Sequence, residues 1–153
     1  MLRNLDKLYS DDIMYLRIAS RYYYYLGDVE RSKSLLDELL NNFPDRPPVV
    51  LWLVAVHANR EGNNQTTSQT LSELETRYKE GMSGSPGWFI ALYYGATQQN
   101  ELALEWLQKS FDMHEAEMIW LREEPMLDQL RDDPRYLEIY HKVGFPMPAN
   151  LPQ

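Results

Sequence analysis

The side chains that could carry out acid–base or metal chemistry are few in this sequence. His57, His114 and His141 lie at no metal-binding spacing from one another, and His114-Glu115 lacks the second histidine of a zinc-protease motif. His57 falls among apolar neighbours in a helical pattern, a position typical of a structural histidine. Because the chain has no cysteine, thiol catalysis and cysteine-ligated zinc are excluded.

Paired carboxylates could instead support general acid–base catalysis. Adjacent acids occur at Asp11-Asp12, Asp37-Glu38, Glu123-Glu124 and Asp132-Asp133. Such chemistry needs two carboxyl groups that converge on one cleft with separated pKa values. Sequence neighbours on a helix point in different directions, and three of these pairs lie at predicted helix ends, where carboxylates act as caps. With no phosphate-binding loop and no nucleophile elbow, the sequence predicts no enzyme activity, no cofactor and no metal site.

Composition limits the classes of partner. The 153 residues suit one domain, and 44% apolar with 25% charged residues is ordinary for a soluble protein. A net charge of −8 opposes binding to nucleic acid or to anionic membranes, because both need clustered Lys and Arg. No apolar run approaches the ~20 residues of a membrane span. The N-terminus lacks a secretory signal, so we expect a cytoplasmic protein.

The elements that would position a site are helices in pairs. In residues 11–46, an apolar stripe at steps of three and four predicts a helix that Ser10 or Asp11 caps. Gly27 then supplies a tight turn, and a second helix follows until Pro44 stops it. The stripe of the first helix consists of Ile13, Leu16, Ala19, Tyr23 and Leu26.

Two more predicted hairpins follow, over residues 47–84 and 85–114. In the first of them, Pro47-Pro48 begin a helix, and Thr66 with Gln69 form a capping box for its partner. Ser85 is the predicted cap that opens the last hairpin. The turn residues Gly27, Gly62 and Gln98 are 35 and 36 residues apart. Such a period is typical of helical repeats.

These units resemble the tetratricopeptide repeat (TPR) family. In the first unit, Ser20 and Ser32 match the small packing residues of that family, while Tyr23 and Leu36 match its large core positions. The second unit is degenerate, and the third lacks the turn glycine. The resemblance implies an all-α fold of about three TPR-like antiparallel hairpins, stacked as a short right-handed solenoid with a C-terminal helical cap.

The two ends of the chain complete this prediction. Glu124–Tyr136 and Val143–Pro146 resemble a recurrent ending of bacterial TPR arrays, so residues 115–153 are expected to form the helical cap and tail. Glu124 and Asp133 are predicted to cap helices, and apolar residues would cover the third hairpin. Those apolar residues are Trp120, Leu121, Leu127, Leu130, Tyr136, Ile139 and Tyr140. Residues 1–10 carry Leu2, Leu5, Leu8 and Tyr9, which predict a helical segment or the end of a preceding repeat.

The resemblance also implies a binding surface, because the first helices of TPR hairpins line a concave groove. The positions carried over from the family are Arg17, Arg21, Tyr24, Tyr25, Trp52, Val56, Asn59, Arg60, Trp88 and Leu92. A solvated helix face is the alternative interpretation for the two arginines of the first helix. Within the run of four tyrosines, Tyr23 is expected in the core and Tyr22 against a neighbouring helix.

The function that the resemblance implies is a non-catalytic protein-interaction or scaffold module, such as part of a bacterial regulator. Arginines among aromatic residues predict a protein or peptide ligand with an acidic segment or a C-terminal carboxylate. Two alternatives stay open. One is a small-molecule sensor in which Trp52, Trp88, Tyr93 and Tyr94 line an apolar pocket. The other is a structural module that self-associates through exposed aromatic residues.

Overall fold

A computed structural model describes residues 12–146, which form helices joined by short turns and contain no strand. The α-helices are α1 (Ile13–Tyr25), α2 (Val29–Asn42), α3 (Pro48–Arg60), α4 (Asn64–Lys79), α5 (Pro86–Ala96), α6 (Asn100–Asp112) and α7 (Pro134–Val143). Two 3₁₀ helices, Ala116–Trp120 and Pro125–Leu130, lie between α6 and α7. The predicted N-terminal helical segment at residues 1–10 lies outside the described residues.

Consecutive α-helices pack as neighbours, α1 with α2, α3 with α4 and α5 with α6. Helix α5 also packs against both α3 and α4, and one apolar core runs through all three pairs. Ser20 and Ser32 are fully buried between helices, where their small side chains permit close approach. The predicted all-α class is thus confirmed for the described residues.

The turns between paired helices share one backbone conformation. Gly27, Gly62 and Gln98 all have positive φ angles, of 77°, 71° and 60°. In each turn the amide of the next residue donates to a carbonyl five residues earlier, as Asp28 does to Tyr23 at 3.0 Å. This geometry is a Schellman motif, which satisfies the last carbonyls of a helix. The predicted turn positions are therefore confirmed, including the one that lacks glycine.

Three predicted caps are corrected by the structure. Asp12 caps α1 by accepting from the amide of Tyr15 at 2.8 Å, whereas Ser10 and Asp11 lie outside the described residues. Asn63 caps α4 by accepting from the amide of Thr66 at 3.0 Å, so the helix begins before the predicted capping box. An Asn directly after the turn glycine already holds its amide oxygen over the helix start.

The third correction concerns the start of α5. Ser85 occupies the cap position, but its hydroxyl makes no capping bond and donates to Glu117 instead. The carboxylate of Glu115, which follows α6 in the chain, caps the N-terminus of α5 instead. It accepts from the amides of Gly87 at 2.9 Å and Trp88 at 2.7 Å. A carboxylate is favoured at this position because it satisfies orphan amides and complements the helix dipole.

The C-terminal region covers the third helix pair. The second 3₁₀ helix packs on α5, and α7 packs on α6. Glu124 and Asp133 cap the helices that begin at Pro125 and Pro134, as predicted, although the first of these is 3₁₀ rather than α. Of the seven apolar residues expected to cover this face, six are buried, and Trp120 is instead exposed.

Helix α5 approaches the second 3₁₀ helix most closely at Gly95. A Cβ atom there would collide with the carbonyl oxygen of Met126, and the Gly95 carbonyl accepts from Gln129 Nε2 at 2.9 Å. We expect Gly95→Ala to lower the free energy of unfolding by about 1–3 kcal/mol, the usual cost of overpacking. At Gly87 the added methyl would meet the Glu115 carboxylate at 3.0 Å and Tyr78 Cδ2 at 3.1 Å, contacts less severe than the collision with the Met126 carbonyl, so Gly87→Ala is the control. Equal losses for both variants in urea denaturation would contradict this prediction.

Candidate functional site

A cleft of about 750 Å³ lies beside α1. Helix α1 lines it with Arg17, Ile18, Arg21, Tyr22 and Tyr25. The segment around the two 3₁₀ helices contributes Glu117, Trp120, Glu123, Glu124 and Pro125. The remaining lining residues are Pro47, Pro48, Val49, Gly84 and Phe89. Ile18, Tyr22 and Trp120 have exposed fractions of 61%, 49% and 55%, so the cleft presents apolar surface to solvent.

The periodicity of α1 explains why two kinds of side chain meet at this cleft. Residues four apart lie above one another on a helix, so Arg17, Arg21 and Tyr25 form one row. Ile18 and Tyr22 belong to the adjacent row. The opposite side of α1 carries its buried residues, Leu16, Ala19, Ser20 and Tyr23. Burial of that face directs both rows toward the cleft.

Arg21, Tyr25 and Glu124 form a hydrogen-bonded network on one wall of the cleft. The Tyr25 hydroxyl lies 2.8 and 3.0 Å from the two carboxylate oxygens of Glu124, to which it donates. Arg21 Nη2 donates to the Tyr25 hydroxyl at 3.4 Å and lies 3.8 Å from Glu124 Oε2. The Arg21 guanidinium also lies over the ring of Phe89, 5.9 Å from its centroid. The network ties α1 to the C-terminal region across 99 residues of sequence.

Burial dominates the electrostatics of this network. Glu124 is only 4% exposed, and burial raises the pKa of its carboxyl group. Hydrogen bonds from the Met126 amide and the Tyr25 hydroxyl, with the charge of Arg21, oppose that rise. Burial first and the charge of Glu124 second raise the pKa of Tyr25, so its phenol stays protonated at neutral pH. Tyr25 therefore remains a hydrogen-bond donor that anchors the buried carboxylate.

Arg17 has a different environment from Arg21. Its nearest carboxylate is that of the exposed Asp45, at 4.0 Å, a distance at which an ion pair is weak. Its Nε atom is buried without a hydrogen-bond partner among the described residues. That atom is out of reach of a ligand, but 24% of the Arg17 side chain is exposed, and an arginine that lines a cleft beside only a weak ion pair is suited to bind an anionic group.

Four of the ten residues predicted to line the groove are part of the core instead. Trp52, Val56, Trp88 and Leu92 have no more than 3% of their surface exposed, so their side chains cannot contact a partner. This prediction is wrong because the helices that carry these residues, α3 and α5, are buried on most sides. Helix α5 packs against α3, α4, α6 and the second 3₁₀ helix. The aromatic pocket predicted for a sensor fails similarly, since Tyr93 is also buried and none of its four residues lines the cleft.

The other predicted residues divide between the cleft and its surroundings. Arg17, Arg21 and Tyr25 line it, while Tyr24 packs edge-on against Trp52 and His57, with ring centroids 5.4 and 5.6 Å apart. Asn59 accepts a hydrogen bond from the Tyr93 hydroxyl at 3.2 Å, and Arg60 is exposed. Neither lines the cleft.

Several lining residues escaped the sequence analysis. Tyr22 was expected against a neighbouring helix but is half-exposed on the cleft. The spacing of Ile18 and Tyr22 was a visible signal, since both fall off the core stripe and lie one turn apart. Phe89, Trp120 and Glu124 reach the cleft only through tertiary contacts, for which no local pattern exists.

The described residues also line smaller clefts, of about 240, 310 and 490 Å³. Residues 12–146 contain no group of three or more His, Asp or Glu side chains that could hold a metal ion. Over the same range, no helix combines the length and apolarity needed to cross a membrane. Comparisons of the chain with protein-family models, with curated proteins and with solved structures gave no match. The cleft is therefore the feature of the described residues on which a functional proposal can rest.

Proposed function

We propose that this chain is a non-catalytic protein-interaction module that binds a partner segment in the cleft beside α1. The observation that supports the proposal is the exposed apolar surface of Ile18, Tyr22 and Trp120 around a cleft that also holds two arginines. Exposed apolar patches rimmed by polar residues mark interaction sites. Tyr, Trp and Arg are also the residue types that contribute most to binding energy at interfaces.

The chemistry of the cleft favours a ligand with a carboxylate, either an acidic side chain or a C-terminus. Arg17 is the cation that would receive it, because Arg21 already faces the buried carboxylate of Glu124. Of the other carboxylates that line the cleft, Glu123 pairs with Arg122 at 2.6 Å, whereas Glu117 accepts from the neutral hydroxyl of Ser85 and keeps its charge. Apolar side chains of the partner would contact Ile18, Tyr22 and Trp120.

We propose further that the three helix pairs are TPR-like hairpins of a short right-handed solenoid. Two observations support this proposal. The turns are spaced by 35 and 36 residues and share one backbone conformation, and the sequence resembles the TPR family. Stacked hairpins bury apolar faces against neighbours and leave a surface for partners. The acidic net charge opposes nucleic acid as that partner, and the lack of cysteine suits a reducing compartment such as the cytoplasm of a bacterium.

A small-molecule sensor is the second candidate function. The cleft volume of about 750 Å³ falls inside the range that drug-sized ligands occupy, roughly 300–1,000 Å³. An apolar anion would suit the same side chains. Thermal stabilisation of the protein by one metabolite, without binding of any peptide, would favour this function over the first.

Selection of random peptides displayed on phage tests the leading proposal. Peptides retained by the wild type should bind Arg17→Glu about tenfold more weakly, a loss of about 1.4 kcal/mol. The thermal stability of Arg17→Glu is measured beside its affinity, because only 24% of the Arg17 side chain is exposed and a carboxylate there would lie close to Asp45. Arg21→Glu is a poorer variant, since it would place a second carboxylate beside Glu124.

A matched pair of variants locates the binding surface. Trp120 and Ile119 are both exposed on the same 3₁₀ helix, but only Trp120 lines the cleft. Selected peptides should lose affinity for Trp120→Ala and keep it for Ile119→Ala. If neither Trp120→Ala nor Arg17→Glu weakens any selected peptide, the cleft is not the binding site and the proposal fails.

A further inference from the structure

The outer surface of α1 carries an unbroken apolar row. Met14, Ile18, Tyr22 and Leu26 follow one another at intervals of four residues, and all four are exposed. Leu26 was expected on the core stripe, but it is the C-cap residue of α1 and is 59% exposed. Residues at this spacing form a continuous ridge along a helix, here about 18 Å long over twelve residues. The buried residues of α1 lie on a different face. Among residues 12–146, no other element covers this ridge.

Charged and aromatic groups flank the ridge on its cleft side. Arg17 and Arg21 form the adjacent row of α1, and Trp120 also lines the cleft with about half of its surface exposed. A ligand in the cleft therefore meets the apolar ridge, the exposed part of Arg17 and the Trp120 indole, while Arg21 already lies beside Glu124. Both rows are inclined by about 26° to the α1 axis, so the complementary pattern must repeat along a line as well.

An extended peptide cannot bind this surface by strand addition. Strand addition needs the free edge of a sheet, and the described residues contain no strand. A second helix fits better, because ridges at four-residue spacing pack into the grooves of another helix at 8–10 Å between axes. An amphipathic helix also presents an apolar row and an adjacent polar row with the same repeat.

We infer that the partner segment is an amphipathic α-helix that packs along the α1 ridge and places a row of acidic residues beside Arg17; this inference rests on the function proposed above. The helix would contribute an apolar row against Ile18 and Tyr22, with large side chains directed toward Trp120. An acidic residue of that helix would meet the exposed part of the Arg17 guanidinium, so recognition combines burial of apolar area with charge complementarity.

Three synthetic peptides of about four helical turns test this inference on the full chain. The first has leucine at helical spacing with glutamate in the adjacent row. The second contains the same residues permuted to alternate apolar and polar, and the third replaces glutamate with lysine. In fluorescence anisotropy, we expect the first to bind at least tenfold more tightly than the others and to gain helical circular dichroism.

Substitutions in the cleft should change which of the three peptides binds most tightly. Ile18→Asp should abolish binding of the acidic helical peptide, and Ile119→Asp should not, because Ile119 is equally exposed but outside the cleft. Arg17→Glu should transfer the preference to the lysine peptide. If the permuted peptide binds as tightly and Ile18→Asp abolishes its binding, the helix inference is overturned while the proposed function stands. Binding that is insensitive to both Ile18→Asp and Arg17→Glu overturns both.

Other occupants of the ridge give distinct results. If the acidic helical peptide binds only to a full chain carrying Leu5→Asp and Leu8→Asp, residues 1–11 occupy the ridge, and the inference is overturned. A wild-type molar mass twice that of one chain in light scattering, reduced to one chain by Ile18→Asp, would identify a second copy as the occupant. Absence of binding to both the wild type and the Leu5→Asp/Leu8→Asp chain also overturns it.

Discussion

Replacing Trp52 with alanine is expected to lower the free energy of unfolding by about 3–5 kcal/mol, the range for removing a large aromatic side chain from a core. Trp52 has no exposed surface and lies at the meeting point of three aromatic neighbours. Its ring centroid is 5.4 Å from that of Tyr24, 6.0 Å from Tyr25 and 6.2 Å from Phe89. Alanine would leave a cavity between α1, α3 and α5, which the rigid helix packing fills only partly.

Trp120→Ala is the matched control for this prediction, because it removes the same side chain from an exposed position. We expect it to change the free energy of unfolding by less than about 0.5 kcal/mol, as surface substitutions do. Chemical denaturation of both variants, with peptide binding measured in parallel, separates the two roles. A stable Trp52→Ala protein that had lost only peptide affinity would restore Trp52 to the groove and contradict the fold described above.

Acidification from pH 6.5 to pH 4 is expected to destabilise the protein by about 3 kcal/mol through His57 alone. Burial lowers the pKa of His57 to about 4, with Lys33 and Arg60 lowering it and Asp37 and Glu30 raising it. The unfolded chain therefore takes up a proton near pH 6.5 that the folded protein does not take up until about pH 4. The contribution of His57 to the free energy of unfolding is complete above pH 6.5, and it is lost as the pH falls from 6.5 to about 4.

His57→Gln should remove this part of the pH dependence. The side-chain amide of glutamine can keep a hydrogen bond to Ser32, whose Oγ lies 2.9 Å from His57 Nε2, but it does not titrate. His141→Gln, at an exposed position on α7, serves as the control and should leave the wild-type profile unchanged. Urea denaturation at intervals between pH 7 and pH 4 measures the slopes. Parallel profiles for wild type and His57→Gln would show that His57 does not carry the effect.

The local elements of the fold followed from the sequence, because their causes are local. Positive φ at Gly27 and Gly62 and proline at the start of α3 act over a few residues. The position at Gln98 was predicted from the repeat period rather than from its residue type. Two of the three corrected caps, at Asp12 and Asn63, are errors of one to three residues, which arise because several polar residues beside a helix start compete for the same amides.

The candidate site was predictable only in part. Arg17, Arg21 and Tyr25 were found because they lie off the core stripe of α1, which is a property of one helix. Trp52 and Trp88 were misplaced because an apolar helix, such as α3 or α5, carries no periodic signal to separate a groove face from a core face. Only the packing of α5 against several elements shows that both indoles are buried.

The sequence by itself determined the helix pairs, their turns, the capping carboxylates of Glu124 and Asp133 and the basic row on α1, since each depends on residues within about one turn of one another. The tertiary structure decided which surface is open. It brought Glu124 to Tyr25 across 99 residues and placed Trp120 and Ile18 in the lining of one cleft. Such contacts depend on the relative placement of whole helices, which is fixed by the summed burial of their apolar faces and not by any short stretch of sequence.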